Sequence, residues 1–164
     1  MQVTARYQLP ASAARVAALL ADPELVEKAA GGPGMAQATV RHTPDGGFIL
    51  TLRRPVLAAD LPAAWRAMAG NNLEMRQAMV WQAPAADGKR SASLAGEVVG
   101  APVHLEGTLH LDPTDQGCEL SIDGQVKASV LLVGPAIEQA GANMVMQVFQ
   151  DQVTALSEHL DAEA

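Results

Sequence analysis

The chain has 164 residues, a single cysteine and a formal net charge of −7, with basic residues scattered so that only Arg53-Arg54 and Lys89-Arg90 stand adjacent. A chain of this length buries roughly 70% of its unfolded surface and needs no staples, while the lone Cys118 excludes an internal disulfide and fits a reducing compartment. The charge pattern argues against a nucleic-acid surface, which needs a concentrated basic stripe, and no apolar run approaches the roughly 20 residues of a membrane span.

Val3, Ala5, Tyr7 and Leu9 alternate with polar residues, predicting a first strand that Pro10 ends. Ser12 is placed to cap a helix from Ala13 to Ala21, and Asp22-Pro23 opens a second short helix that Gly31-Gly32-Pro33-Gly34 stops. Ala36 to His42 and Phe48 to Arg54 flank an Asp45-Gly46 turn and read as a hairpin. The alternation breaks from Pro55 to Asn72, where Leu61 to Met68 has the look of a short helix, a lid or rim segment. Strands follow at Leu73 to Gln82, Lys89 to Val99, Val103 to Asp112 and Gly117 to Val130. The last two alternate strictly, so one sheet face is wet and the other covered.

Leu132-Val133-Gly134-Pro135 then leads into one long amphipathic helix, Ile137 to Leu160. Its stripe of Ile137, Ala140, Met144, Val145, Val148, Phe149, Val153, Leu156 and Leu160 suits packing on a sheet. Aromatic residues make up only 3% of the chain, so aliphatics, alanine and seven methionines must fill the interior. Met68, Met75, Met79, Met144 and Met146 would form an adaptable lining if they share one space.

The order of a strand, two short helices, six antiparallel strands and a long C-terminal helix resembles the START-like (SRPBCC) superfamily and its α+β helix-grip fold. That fold wraps a curved antiparallel sheet of about seven strands on the long helix, with the two short helices between strands one and two. Gly96-Glu97-Val98-Val99-Gly100-Ala101-Pro102, Glu106-Gly107-Thr108, and Gly124-Gln125-Val126-Lys127 running into Leu132-Val133-Gly134-Pro135-Ala136-Ile137-Glu138 narrow the resemblance to the bacterial family DUF2505. It covers nearly the whole chain, and its motifs are a fold signature with no reactive constellation. Superfamily members commonly hold lipids, polyketides or other hydrophobic molecules between sheet and helix, and some are cyclases or hydrolases. The resemblance implies a cavity and transfers no catalytic residue.

The residues themselves offer little chemistry. His42, His104, His110 and His159 form no helical His-x-x-x-His pair, and Cys118 has no partner at metal-ligand spacing. His104, Glu106 and His110 share the polar face of one strand, where a solvated surface row is the expectation. Gln77 falls among Met75, Met79 and Trp81 on the apolar side of its strand, so its amide needs a partner, in the protein or on a ligand. Arg54, aligned with Phe48, Leu50 and Leu52, and Glu97, aligned with Ala95 and Val99, are read as inward candidates; Trp65 and Trp81 either stack a flat ligand or simply pack. No Gly-x-Ser-x-Gly elbow, P-loop or dinucleotide fingerprint is present.

The resulting expectation is a single domain spanning residues 1–164, cytoplasmic, with no cofactor, no metal and no stable membrane insertion, holding a small hydrophobic or amphipathic molecule. The expected lining is Leu50, Leu52, Met75, Gln77, Met79, Trp81, Leu105, Leu109, Ile122, Val126, Met144, Val145 and Val148. Two alternatives stand beside it. One is a cyclase- or hydrolase-type enzyme in which Gln77, Arg54, Glu97 or His104 polarises a substrate. The other is an interaction module with a collapsed cavity that meets a partner protein or a second copy of itself as a homodimer.

Overall fold

The structure, a computed structural model, describes residues 1–163 apart from 33, 58, 60, 62, 69–71 and 131, with 64, 67 and 68 described by backbone alone. Met68 as a lining residue therefore lies outside the described side chains. The elements run β1 (Gln2–Leu9), α1 (Ala13–Leu20), α2 (Pro23–Ala29), β2 (Gln37–His42), β3 (Phe48–Pro55), α3 (Ala63–Met68), β4 (Glu74–Trp81), β5 (Arg90–Val99), β6 (Val103–Thr114), β7 (Gly117–Ala128) and α4 (Gly134–Glu163).

Local chemistry explains the boundaries. Ser12 Oγ accepts the Arg15 N–H at 3.1 Å, and the Asp22 carboxylate accepts the Glu24 N–H at 3.0 Å, so each short helix begins on a side-chain cap. Pro23 sits in the first turn of α2, where a missing N–H costs nothing. At the β2–β3 turn Asp45 accepts the Gly47 N–H at 3.0 Å. Helix α4 starts earlier than the apolar stripe predicts, at Gly134 and Pro135, because those residues fit a first turn.

The strands form one antiparallel sheet in the order β1-β7-β6-β5-β4-β3-β2, seven strands as expected. The longest strands, β6 and β7, meet at Gly107 opposite Gly124, where a β-carbon on Gly107 would stand 2.6 Å from the Asp123 carbonyl oxygen. Only glycine allows this backbone approach, and it lets the long strands curve. At the β2 edge, Glu27 of α2 accepts the Ala38 N–H at 2.9 Å, occupying a donor that an incoming strand would use.

Helix α4 lies on the concave face against β7, β1, β6 and α2. Its buried positions are Gly134, Ile137, Gly141, Ala142, Val145, Val148, Phe149, Gln152, Val153, Leu156 and Leu160. Phe149 meets Tyr7 with ring centroids 5.5 Å apart, and the Tyr7 hydroxyl donates to Gln150 at 2.9 Å, fastening the helix across β1. Arg15 of α1 pairs with Glu163 at the far end. Among the described residues, no helix is long and apolar enough to cross a membrane.

One expectation about strand faces fails. In β5 the buried positions are Ala92, Leu94 and Val98, whereas Ala95, Glu97 and Val99 are exposed, so Glu97 projects outward. The sequence pattern of β5 is ambiguous because alanine and valine occur on both of its faces; the pairing of Gly96 with Gln77 and with Leu105 fixes the phase.

Candidate functional site

The concave face and α4 border a half-open apolar cavity of about 30 Å³, room for about one water molecule. Trp65 of α3 lines it, with Met75 and Gln77 of β4, Gly96 to Val98 of β5, Val103 and Leu105 of β6, Val126 of β7, and Gly141, Met144 and Val145 of α4. The helix comes close here because residue 141 has no side chain. The adaptable groups are Met75, buried, and Met144, half-buried, which line the cavity from the sheet and from the helix.

Gln77 is the polar side chain of this space. It is 6% exposed, and its Oε1 finds no hydrogen-bond partner among the described residues. The register explains its room: Gln77 stands between Leu52 and Gly96 on the neighbouring strands. A β-carbon on Gly96 would lie 3.3 Å from Leu105 Cβ, so a larger residue would intrude on the amide's neighbourhood.

The structure thus brings together Met75, Gln77, Leu105, Val126, Met144 and Val145 from the expected lining. Leu50, Met79, Trp81, Leu109 and Ile122 are buried core residues away from the cavity walls. Phe48 stacks on Trp81 with centroids 6.0 Å apart, filling that end of the interior. Leu52 and Val148 meet instead across a second void of about 10 Å³, together with Val26, Ala29, Ala30 and Gln152. Gly141, Val98 and Gln152 were missed as site or core positions, and Val103, read as an inner-face residue, was missed as lining. Helical spacing carried the signal for two of them: Gly141 is four residues from both Ile137 and Val145, and Gln152 four from both Val148 and Leu156.

Arg54 does lie on the inner face, paired with Met75, but at the sheet's end. It is half-buried, its Nε has no partner among the described residues, and it lines an open cleft of about 850 Å³ shared with Glu27, Leu57 and Glu74. Trp81 Nε1 is likewise buried without a described partner. Leu57, Val99 and Leu132 are large exposed apolar side chains at or just beyond the ends of β3, β5 and β7. Leu132 is fully exposed and holds a left-handed φ of 69°.

The outer face carries a shallow trough of about 590 Å³, floored by the cross-strand pair Ala78 and Ala95 and rimmed by Arg76, Glu97, His104 and Glu106. It is larger than the inner cavity but open to solvent, a saddle where two alanines stand among long charged chains. Glu97 and His104 are cross-strand partners here, so the sheet itself separates them from Gln77. Arg53 and Arg76 flank Glu74 at 3.0 and 2.6 Å, and Arg76, then Arg53, hold the Glu74 carboxyl below its ordinary pKa. His104, Glu106 and His110 are exposed. Among the described residues no three His, Cys, Asp or Glu side chains stand close enough to share a metal ion. Cys118 is fully buried, and burial pushes its thiol up to about 11.

The same fold recurs in solved structures. TTHA0849 from Thermus thermophilus matches with a TM-score of 0.64 at 13% identity, over 100% of this chain and 99% of that one. The Zhui aromatase/cyclase from Streptomyces matches at 0.60 and 13%, over 98% and 93%. A STAR-related lipid transfer protein from Xanthomonas axonopodis matches at 0.56 and 16%, over 96% and 84%. These likenesses establish the START-like helix-grip fold, and no curated protein matches the chain. The family described as "Protein of unknown function (DUF2505)" matches residues 3–160, nearly the whole sequence, and the chain belongs to that family.

Proposed function

We propose that the protein binds a small hydrophobic or amphipathic molecule between β4–β7 and α4. The observation that carries this reading is the cavity itself: an apolar wall, one buried amide with an unused acceptor, and a methionine on each side. A cavity of about 30 Å³ is too small for such a ligand as it stands, so Met75, Met144 and the first half of α4 must yield on binding. Unbranched methionines do this at low cost, since they have three rotatable bonds and no preferred shape. A lipid transfer protein and an aromatase/cyclase among the structural neighbours lend support, at the level of fold.

The small volume also favours a second reading, an interaction module with a filled interior. The enzyme alternative has less behind it. Its four candidate groups are divided between the two faces and the end of the sheet, and general acid–base work needs them within hydrogen-bond reach of one substrate.

Native mass spectrometry of protein purified from its own host, followed by organic extraction, tests the proposal. The expected result is a stoichiometric apolar adduct. A bare mass, together with no uptake of octane or octanol in titration, would overturn it in favour of the filled-interior reading.

A further inference from the structure

The cavity is chemically lopsided. Among the described residues its walls are aliphatic save for Trp65 and the Gln77 amide, no cationic side chain lines it, and Glu97 is exposed on the outer face of β5. Arg54, the cationic candidate paired with Met75 on the inner face, lines the open end cleft instead. What the cavity does hold is a carboxamide, Gln77, nine-tenths buried with its Oε1 unpaired among the described residues.

We infer that the ligand, on the binding reading above, carries a neutral hydroxyl that pairs with the Gln77 amide, making the preferred class an aliphatic or alicyclic alcohol and excluding a carboxylate. An unused buried acceptor is costly, and a ligand that donates to it recovers that cost. A hydroxyl both donates and accepts, so it satisfies the amide through Oε1 and can also take a bond from the amide nitrogen. A carboxylate at neutral pH only accepts; it could take a bond from the amide nitrogen but would leave Oε1 unpaired and would bring a charge into an apolar wall with no cation to balance it. An ester or ketone lacks the donor as well. The room for about one water molecule beside Gln77 fits one hydroxyl, with the remaining carbon skeleton displacing Met75 and Met144.

The test uses four probes of one chain length, octanol, methyl octanoate, octanoate and octane, titrated into the protein while the methyl signals of Met75 and Met144 are followed by NMR. Octanol is expected to bind most tightly and to shift both methionine signals. Gln77→Leu, which removes the hydrogen bond at nearly constant volume, is expected to weaken octanol by about tenfold and leave octane bound at least as tightly. Octanol and methyl octanoate binding alike, octanoate binding best, or octanol affinity indifferent to the substitution would each overturn the hydroxyl assignment while leaving the cavity intact. Failure of all four probes, octane included, would overturn the cavity reading and this inference together. The ranking on the unsubstituted protein needs no variant, so a poorly folding Gln77→Leu would not shield the proposal.

Discussion

Gly141 of α4 lies against Val126 of β7 so closely that a β-carbon on Gly141 would stand 2.9 Å from Val126 Cγ1 and 3.5 Å from Val103 Cγ1. This contact sets the spacing between helix and sheet at the cavity, and the absent side chain is what allows α4 to close on it. Gly141→Ala sets two effects against each other. Alanine gains about 1 kcal/mol of helix propensity, whereas forcing a methyl into a packed seam costs about 1–3 kcal/mol. The seam should prevail, with a net loss of about 1 kcal/mol in urea unfolding. A variant more stable than the parent would mean that the seam has slack the geometry does not show.

Val145→Ala acts on the same cavity in the opposite sense. Val145 is buried and lines the cavity, so truncation removes two methyl groups from its wall. A loss of about 2 kcal/mol is expected, from transfer and cavity terms together. The enlarged space should then take up octane more readily than the parent does, and octane should raise the variant's melting temperature more. Equal uptake by both proteins would show that the wall around Val145 collapses inward.

Much of this architecture was legible in the sequence because alternation and helical spacing are local signals. The strict alternation from Val103 to Asp112 and from Gly117 onward left one possible inner face, and Ser12 and Asp22 announced their helices. Glu97 was misplaced because β5 carries small apolar residues on both faces, so only pairing with β4 and β6 decides its direction. The cavity was less legible than the fold. Which inward residues pack solidly and which border open space depends on volumes across the interior, and there a glycine at 141 and a stacked Phe48–Trp81 pair matter more than any pattern along one strand. Gln77 could be read as inward from its neighbours, but its unpaired oxygen emerges only once every surrounding group has a position.

Cys118 offers a check on the solidity of the other end of the core. The thiol is fully buried and its pKa is pushed up to about 11 by burial, so both access and thiolate fraction are low in the native state. Modification by a disulfide reagent near neutral pH should be slower by orders of magnitude than in urea, and its rate should follow the opening of the fold. Fast native labelling would place Cys118 on a mobile strand end and contradict the packing of β7 against β1.

Glu138 joins the start of α4 to the end of β7, which gives the Ile137-Glu138 signature a physical reason. Its carboxylate accepts the Ala128 N–H at 3.1 Å, and the Met1 ammonium lies 3.3 Å from its other oxygen. The Ala128 hydrogen bond, and after it the Met1 charge, hold the Glu138 carboxyl below its ordinary pKa. The folded state therefore binds this proton less readily than the unfolded chain. The stabilisation is complete above the ordinary carboxylate range and is lost as pH falls through the depressed value. Glu138→Gln keeps an acceptor for Ala128 but cannot titrate. Melting temperatures of the two proteins, compared from about pH 7 to about pH 3, should show the parent ahead at the upper end and its lead shrinking on acidification. Glu74, Asp45 and Glu163 also have depressed values, but they are common to both proteins and cancel in the difference. A gap that stays constant or widens as the pH falls would mean that the contact with Ala128 does not depend on the carboxylate's charge.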